Sequence, residues 1–467
     1  MYSIYLKSRQ ELCKELVQRL LKRYEYASLM GKHIEGKTYR VTTFGTSISD
    51  TREQQCGFVV KIYNGTSFSE YSFSDITKDN IDALEKDIVE KTRLSVGLKA
   101  DQLNLRPISD EPLVKDFVRE DDGKAYTSDE VIAELTKVKD CMHSLSDKVV
   151  QAAAGCDSYT VSSLFISKNR ELTQTYPWNL LMFISVARDG SNIKRNYKCV
   201  GNASLEDSFK EANAIAKDAV EISVELLSAT HIEPGVYDII TAPSITGLIA
   251  HEAFGHGVEM DMFVKHRARS RKYINKPVAS KLISMHDGAC AASSVGSYFF
   301  DDDGVLAHDT LIIKDGILQT GISDVLSAMQ LGTEPTGNGR RQDPSRKAYT
   351  RMTNTYFSNG KSKLDDMIKS IKYGYMIFDT DNGMEDPKNW NIQCVAAYGR
   401  EIVDGKFTGK IVSPVVMSGD VIDLLMSITM VGDNFAIEGS GHCGKGYKEW
   451  VTVSDGGPSL KCRCKLG

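Results

Sequence analysis

The sequence predicts an α+β protein built as two domains, and three features of the chain carry that expectation. Its 467 residues exceed the ~250–300 at which one hydrophobic core stops growing. The first half alternates helical with strand periodicity. The second half breaks into short apolar runs separated by Asp-Gly and Asn-Gly pairs, the pattern of hairpins and tight turns. The expected division is an N-terminal domain over 1–230, with helices set against antiparallel strands, and a β-rich domain over 231–467.

Taken in order, Leu12, Leu16 and Leu20 with Val17 and Leu21 repeat at helical spacing, so a helix is expected over 10–24. Residues 39–44 and 57–63 alternate as strands, and Asn64-Gly65 predicts a type I′ hairpin into 66–73. Asp79 opens a helix with an acidic first turn, and a second is expected from Ser128, as N-cap, to about 154. Strand patterns return at 159–166, 171–176 and 180–188, followed by a helix over 205–229. Pro234-Gly235 then punctuates the chain and a strand begins at Val236, which places the boundary near residue 231. Beyond it, turns are expected at Asp303-Gly304, Asp315-Gly316, Asn359-Gly360, Asn382-Gly383 and Asp404-Gly405.

Composition excludes several classes. Hydrophobic residues at 41% and charged residues at 25% are those of an ordinary globular chain. A net charge of −5 leaves no basic footprint for nucleic acid. The N-terminus lacks the apolar stretch of a secretory signal, and no window approaches eighteen continuous apolar residues, so a cytoplasmic protein without membrane association is expected. The ten cysteines are scattered rather than paired, and Cys462 and Cys464 have the spacing of one strand face. No Gly-rich phosphate loop or nucleophile elbow is present.

The chemistry concentrates in His251-Glu252-Ala253-Phe254-Gly255-His256. Two imidazoles can bind Zn²⁺, and a glutamate beside them can take a proton from water, which is the equipment of a metal-dependent peptidase. The spacing is one residue longer than in H-E-x-x-H. On an ideal α-helix, residues five apart lie about 140° around the axis, so both histidines reach one ion only if the helix is widened between them. Gly255 is the residue expected to make that distortion cheap.

The run from His251 to Asp261, through Gly257, Val258, Glu259 and Met260, resembles the signature of the TldD/PmbA metalloproteases. Further matches follow in order: Asp301-Asp302-Asp303-Gly304, the run Leu311–Leu318, Gly337-Asn338-Gly339-Arg340-Arg341, Arg351-Met352-Thr353-Asn354-Thr355, and Cys443-Gly444-Lys445-Gly446. The resemblance implies a barrel-like C-terminal domain and a metal held by His251, His256 and Cys443, with Glu252 as the general base. All four are present, as in the catalytic TldD-type branch; PmbA-type partners usually lack the metal site. His442, adjacent to Cys443, is a rival third ligand.

The resemblance also implies small or unfolded peptides as substrates, held by strand addition inside a dimer. That dimer is either two copies of the chain or a pair with a metal-free PmbA-type relative. Arg351 and Asn354 are candidate peptide contacts, as are Asn338 and Arg340. Glu259 and Asp261 are candidates to orient the ligand histidines. The expected function is a zinc-dependent peptidase; the alternatives are a non-catalytic peptide-binding or regulatory subunit of gyrase-modulator type, or a metal-dependent amidohydrolase.

Overall fold

A computed structural model describes residues 2–65, 67–95, 111–121, 123–447 and 449–467. The fold is mixed α+β with two large β-assemblies. All strands of the first lie before residue 203, and all strands of the second lie after residue 234.

The first assembly is an eight-stranded sheet whose long strands Tyr26–Thr42, Val149–Ile166 and Arg170–Asp189 form the centre. Strand period two explains how it divides its faces. Ala27, Leu29, Tyr39 and Val41 point to one side, where helices Ile4–Leu21, Ile81–Ser95, Ser128–Ser144 and Leu205–Glu225 cover them. Met30 and Ile34 point to the other, and there the sheet packs against Val295 and Phe300 from the second half of the chain. Ion pairs reinforce this junction: Lys32 to Asp302 at 2.7 Å, Lys61 to Asp303, and Arg341 to Glu70 at 3.2 Å.

The second assembly contains a closed five-stranded barrel. Strands Tyr373–Asp386, Gly235–Thr241, Leu460–Leu466, Val415–Asp420 and Asn391–Val403 pair in that order, and the last pairs back to the first. Cys462 and Cys464 lie on one of these strands and both are buried. Beside the barrel is a six-stranded sheet that ends in Asn354–Phe357, Glu449–Gly457 and Ala436–Lys445. One core cluster joins barrel, sheet and the histidine-bearing helix.

Several local expectations are corrected. The first helix begins at Ile4 rather than near residue 10, because Ser3 caps it by accepting from the Leu6 amide. The helix at 128 is capped by Thr127, in a reciprocal capping box with Glu130, and ends at Ser144. Residues 149–154 are instead the start of a long strand, whose buried Ala152 and Ala154 face the helices. Asn64-Gly65 does not make a two-residue hairpin: the first strand ends at Tyr63, the next begins only at Phe68, and the Asn64 amide donates to the Ser67 carbonyl at 3.1 Å. Asp315-Gly316 and Asp404-Gly405 do join strands as two-residue turns, with positive φ at all four residues. Asn382-Gly383 is not a turn at all, since it lies within strand Tyr373–Asp386.

Candidate metal centre

The histidine motif enters from a short helix, Pro243–Leu248, with proline in its first turn where no amide is needed. At Ile249 the winding widens into a π-helix that runs to Gly255, and His256–Val258 closes as a 3₁₀ turn. The His256 amide donates to the His251 carbonyl, an i to i+5 bond that brings residues five apart onto one face. Widening therefore aligns the two imidazoles, whose ring centroids are 5.2 Å apart. Gly255 has ordinary helical angles, φ −58° and ψ −50°. Its role is space rather than flexibility: a Cβ there would stand 2.2 Å from Met352 Sδ and 3.0 Å from the Ala250 carbonyl.

Cys443 arrives from the edge strand Ala436–Lys445, 187 residues beyond His256 in the chain. Its Sγ lies 3.6 Å from His256 Nε2, and one ligand atom from each of His251, His256 and Cys443 falls within 4.8 Å of the others. At metal–ligand distances of ~2.0–2.3 Å a tetrahedral site has ligand–ligand edges of about 3.5 Å, so this borderline-soft N₂S donor set fits a zinc ion. His442 extends from the other face of the strand and pairs with Glu53 at 3.0 Å. Among the described residues the cluster therefore has three protein ligands.

Burial works against charge at all three groups, yet their mutual attraction wins. The Cys443 thiol is held well below its usual value, His251 is raised to about 9, and His256 is raised well above its ordinary value. Glu252 sits beside both rings, its carboxylate oxygens 4.0 Å from His251 Nε2 and 3.7 Å from His256 Nε2. Gly383 makes room for it, because a Cβ at that position would be 2.5 Å from Glu252 Cγ.

Glu259 is buried and meets His256 Nδ1 at 3.1 Å, which fixes that ring with Nε2 towards Cys443. Asp261 touches neither histidine. It binds Lys445 at 2.7 Å, and Lys445 in turn holds Glu259 at 3.0 Å. Lys445, two residues after Cys443, thus ties the cysteine strand to the histidine helix; the sequence signalled it only as part of the Cys-Gly-Lys-Gly run. His251 Nδ1 is buried with no hydrogen-bond partner, so packing sets that ring's orientation.

Arg351 and Asn354, the candidate peptide contacts, lie inside the protein. Both are fully buried. Arg351 donates to the backbone carbonyls of Cys443 and Glu449, the latter at 3.1 Å, and so braces the cysteine strand from inside. Asn354 donates to the Gly288 carbonyl at 2.9 Å and to Ser297 Oγ at 3.0 Å. Asn338 and Arg340 also spend their donors within the protein, on Asp287 and on the Met352 and Thr452 carbonyls. A residue not anticipated is Asp455, whose carboxyl burial raises to about 7, with the His251 charge opposing and those of Glu438 and Glu252 adding.

Comparison with known proteins places this geometry. The family profile described as "PmbA/TldA metallopeptidase C-terminal domain" matches residues 234–463. A "Metalloprotease TldD homolog" from Buchnera aphidicola is 30% identical over 365 residues, covering 72% of each chain. A "Zinc metalloprotease TldD homolog" from Saccharolobus solfataricus is 26% identical over 341 residues, 71% of this chain and 75% of that one. The crystal structure of TldE from Thermococcus kodakarensis superposes with a TM-score of 0.79 at 16% identity, over 97% of this chain and 99% of that one, which is a likeness of fold.

Proposed function

The chain belongs to the PmbA/TldD metallopeptidase family, and from that premise we propose that it is a zinc-dependent peptidase acting on small or unfolded peptides. The observation that carries the reading is the convergence of His251, His256 and Cys443 within 4.8 Å, with the Glu252 carboxylate alongside. These three residues would hold the ion, which when bound supplies Lewis-acid polarisation of the scissile carbonyl and acidifies water. Glu252 accepts the proton of the attacking water and returns it to the leaving amine. Glu259, held by Lys445, keeps the His256 ring in its ligating orientation. The absence of a fourth protein ligand in the cluster, among the described residues, favours an open catalytic position over a closed structural one.

Strand Ala436–Lys445 is the last strand of its sheet, pairing among the described strands with Glu449–Gly457 alone. Its free edge supports addition of a peptide backbone beside Cys443, a mode that reads main chain rather than sequence. We further propose a division into domains near residue 231, in line with the separate strand memberships of the two assemblies. A dimer, of two copies or with a metal-free PmbA-type relative, would enclose the site. Ten free cysteines suit a reducing compartment such as the cytoplasm, and no described helix is long and apolar enough to cross a membrane.

The test is Glu252→Gln in the zinc-loaded protein. The amide is nearly isosteric yet cannot accept the water's proton at neutral pH, so bound zinc and fold should persist while peptide hydrolysis falls at least ~100-fold. Near-normal turnover would overturn the mechanism, and loss of zinc would make Glu252 a ligand.

A further inference from the structure

Strand Ala436–Lys445 pairs with Glu449–Gly457 so that His442 stands opposite Thr452, Cys443 opposite Val451 and Gly444 opposite Trp450. In an antiparallel ladder, opposed pairs alternate between those that exchange backbone hydrogen bonds and those that do not. Bonds on the far side of the second strand decide which pairs are which. Trp450 donates its amide to Gln342 Oε1 at 2.7 Å, the Thr452 carbonyl accepts from Arg340 at 2.8 Å, and Ser454 donates its amide to the Thr353 carbonyl at 3.0 Å. Residues 450, 452 and 454 thus turn their backbone groups away from the cysteine strand. Gly444–Trp450 and His442–Thr452 are therefore the unbonded pairs, and the amides and carbonyls of His442 and Gly444 project from the free edge. Both residues are exposed.

Side chains alternate along the same strand. Cys443 points its thiol to the metal cluster, while His442, Gly444 and Trp450 belong to the opposite face. Gly444 leaves that face bare, and the Trp450 indole lies across it: a Cβ on Gly444 would stand 3.0 Å from Cζ3 and 3.2 Å from Cη2 of the ring. The six-membered ring of the indole thus reaches over the edge strand. Trp450 is 49% exposed, whereas Trp178 and Trp390 are buried. A hollow of about 500 Å³ opens beside it, lined also by Arg52, Glu53, Gln55, Gln342 and His442. The charges there already have partners. Glu53 pairs with His442 at 3.0 Å, Arg52 with Asp157 at 4.0 Å, and Asp343 accepts from Gln342 Nε2 at 3.1 Å. The indole is left as the one large apolar surface among the residues that line the hollow. A lone ring among polar groups is far short of the ~800 Å² per partner that a stable subunit interface buries.

We propose that Trp450, lying across Gly444, forms a specificity subsite that receives an aromatic side chain of a peptide substrate. The inference rests on the peptidase reading, with strand addition at this edge, and names its substrate class. A peptide strand bonded to the His442 and Gly444 backbone places the residue opposite Gly444 on the Trp450 face, with its Cβ about 5 Å from the position a Gly444 Cβ would take. From there a phenyl, phenol or indole ring comes within the ~4.5–7 Å between centroids that aromatic pairs favour. The next residue, opposite Cys443, turns its side chain to the metal face. Recognition and cleavage then use alternate residues of one strand.

The test uses the full chain with zinc and decapeptides in which a single phenylalanine is moved through a serine–alanine background. Binding is read by fluorescence anisotropy on the Glu252→Gln protein, and cleavage by mass spectrometry on the parent. Acrylamide quenching reports shielding of Trp450, since the other two tryptophans are buried. An aromatic pair, with burial of the incoming ring, predicts about tenfold higher kcat/KM when phenylalanine rather than alanine stands at one fixed distance from the cut. Glutamate or lysine at that position should gain nothing. Trp450→Ala should erase the margin, Trp450→Phe should keep most of it, and peptides that bind should protect Trp450 from acrylamide. No aromatic preference at any position, or one that survives Trp450→Ala, overturns the proposal. So does binding that leaves Trp450 as quenchable as before, or a Trp450 already shielded in the free protein, where a second subunit would be covering it. Should Trp450→Ala fail to fold, the quenching series on the Glu252→Gln protein still decides. Cleavage without aromatic preference refutes the subsite and spares the peptidase reading. Aromatic peptides that bind and shield Trp450 yet are never cut refute the peptidase reading and leave the subsite standing.

Discussion

Replacing Gly255 by alanine separates two explanations of the widened turn between the histidines. If glycine is there for conformational freedom, alanine should be tolerated or better, since φ −58° and ψ −50° are ordinary helical values and alanine is favoured over glycine in a helix by about 1 kcal/mol. If glycine is there for space, the new methyl meets Met352 Sδ at 2.2 Å and the Ala250 carbonyl at 3.0 Å. Overpacking of a filled core costs about 1–3 kcal/mol, and so short an approach belongs at the upper end. Subtracting the propensity gain leaves a net loss of about 2 kcal/mol. The displaced segment is next to His256, and metal–ligand distances tolerate only ~0.2 Å, so zinc affinity should fall by about tenfold or more. The assay is urea unfolding of the metal-free protein, with zinc affinity by competition against a chelator. Adding Met352→Ala should recover part of the loss, a positive coupling between contacting residues. A Gly255→Ala protein as stable as the parent, with unchanged zinc affinity, would refute the spatial argument.

Cys443→Ser should bind zinc at least ~100-fold more weakly, because a neutral hydroxyl replaces a thiolate already stabilised by two imidazoles; full occupancy by elemental analysis would point to another third ligand. Glu259→Gln should lower zinc affinity about 10–100-fold with Glu252 untouched, since His256 loses its charged orienting partner; an unchanged affinity would mean that packing alone holds the ring. At the junction of the two assemblies, burial alone would raise Glu70, but Lys61 and Arg341 outweigh it and hold its carboxyl at about 2. A depressed folded-state value stabilises above the unfolded value near ~4.3, and that contribution, up to about 3 kcal/mol, is lost as pH falls from roughly 5 towards 2. Glu70→Gln should flatten this part of the stability–pH profile, and an unchanged profile would assign the acid sensitivity elsewhere.

What the sequence determined by itself was local or periodic. The α+β character, the strand at Gly235 after Pro234, and the two-residue turns at Asp315-Gly316 and Asp404-Gly405 were legible because backbone preferences and apolar periodicity act over a few residues. Five-residue spacing of His251 and His256 required a widened helix before any coordinates, since an ideal turn cannot align them. Where local signals compete, the larger structure decided. Residues 149–154 are an alanine-rich stretch that a helix accepts, yet they pair as a strand because the sheet needs small side chains under its helices. Asn382-Gly383 carries turn chemistry but stays in a strand, where glycine admits Glu252. Tertiary structure alone brings Cys443 to His256 across 187 residues, turns His442 outward to Glu53, and buries Arg351 against the cysteine strand. The face of a strand a residue occupies, and the partner that neutralises a buried charge, depend on packing between segments far apart in the chain, and no window of sequence contains both.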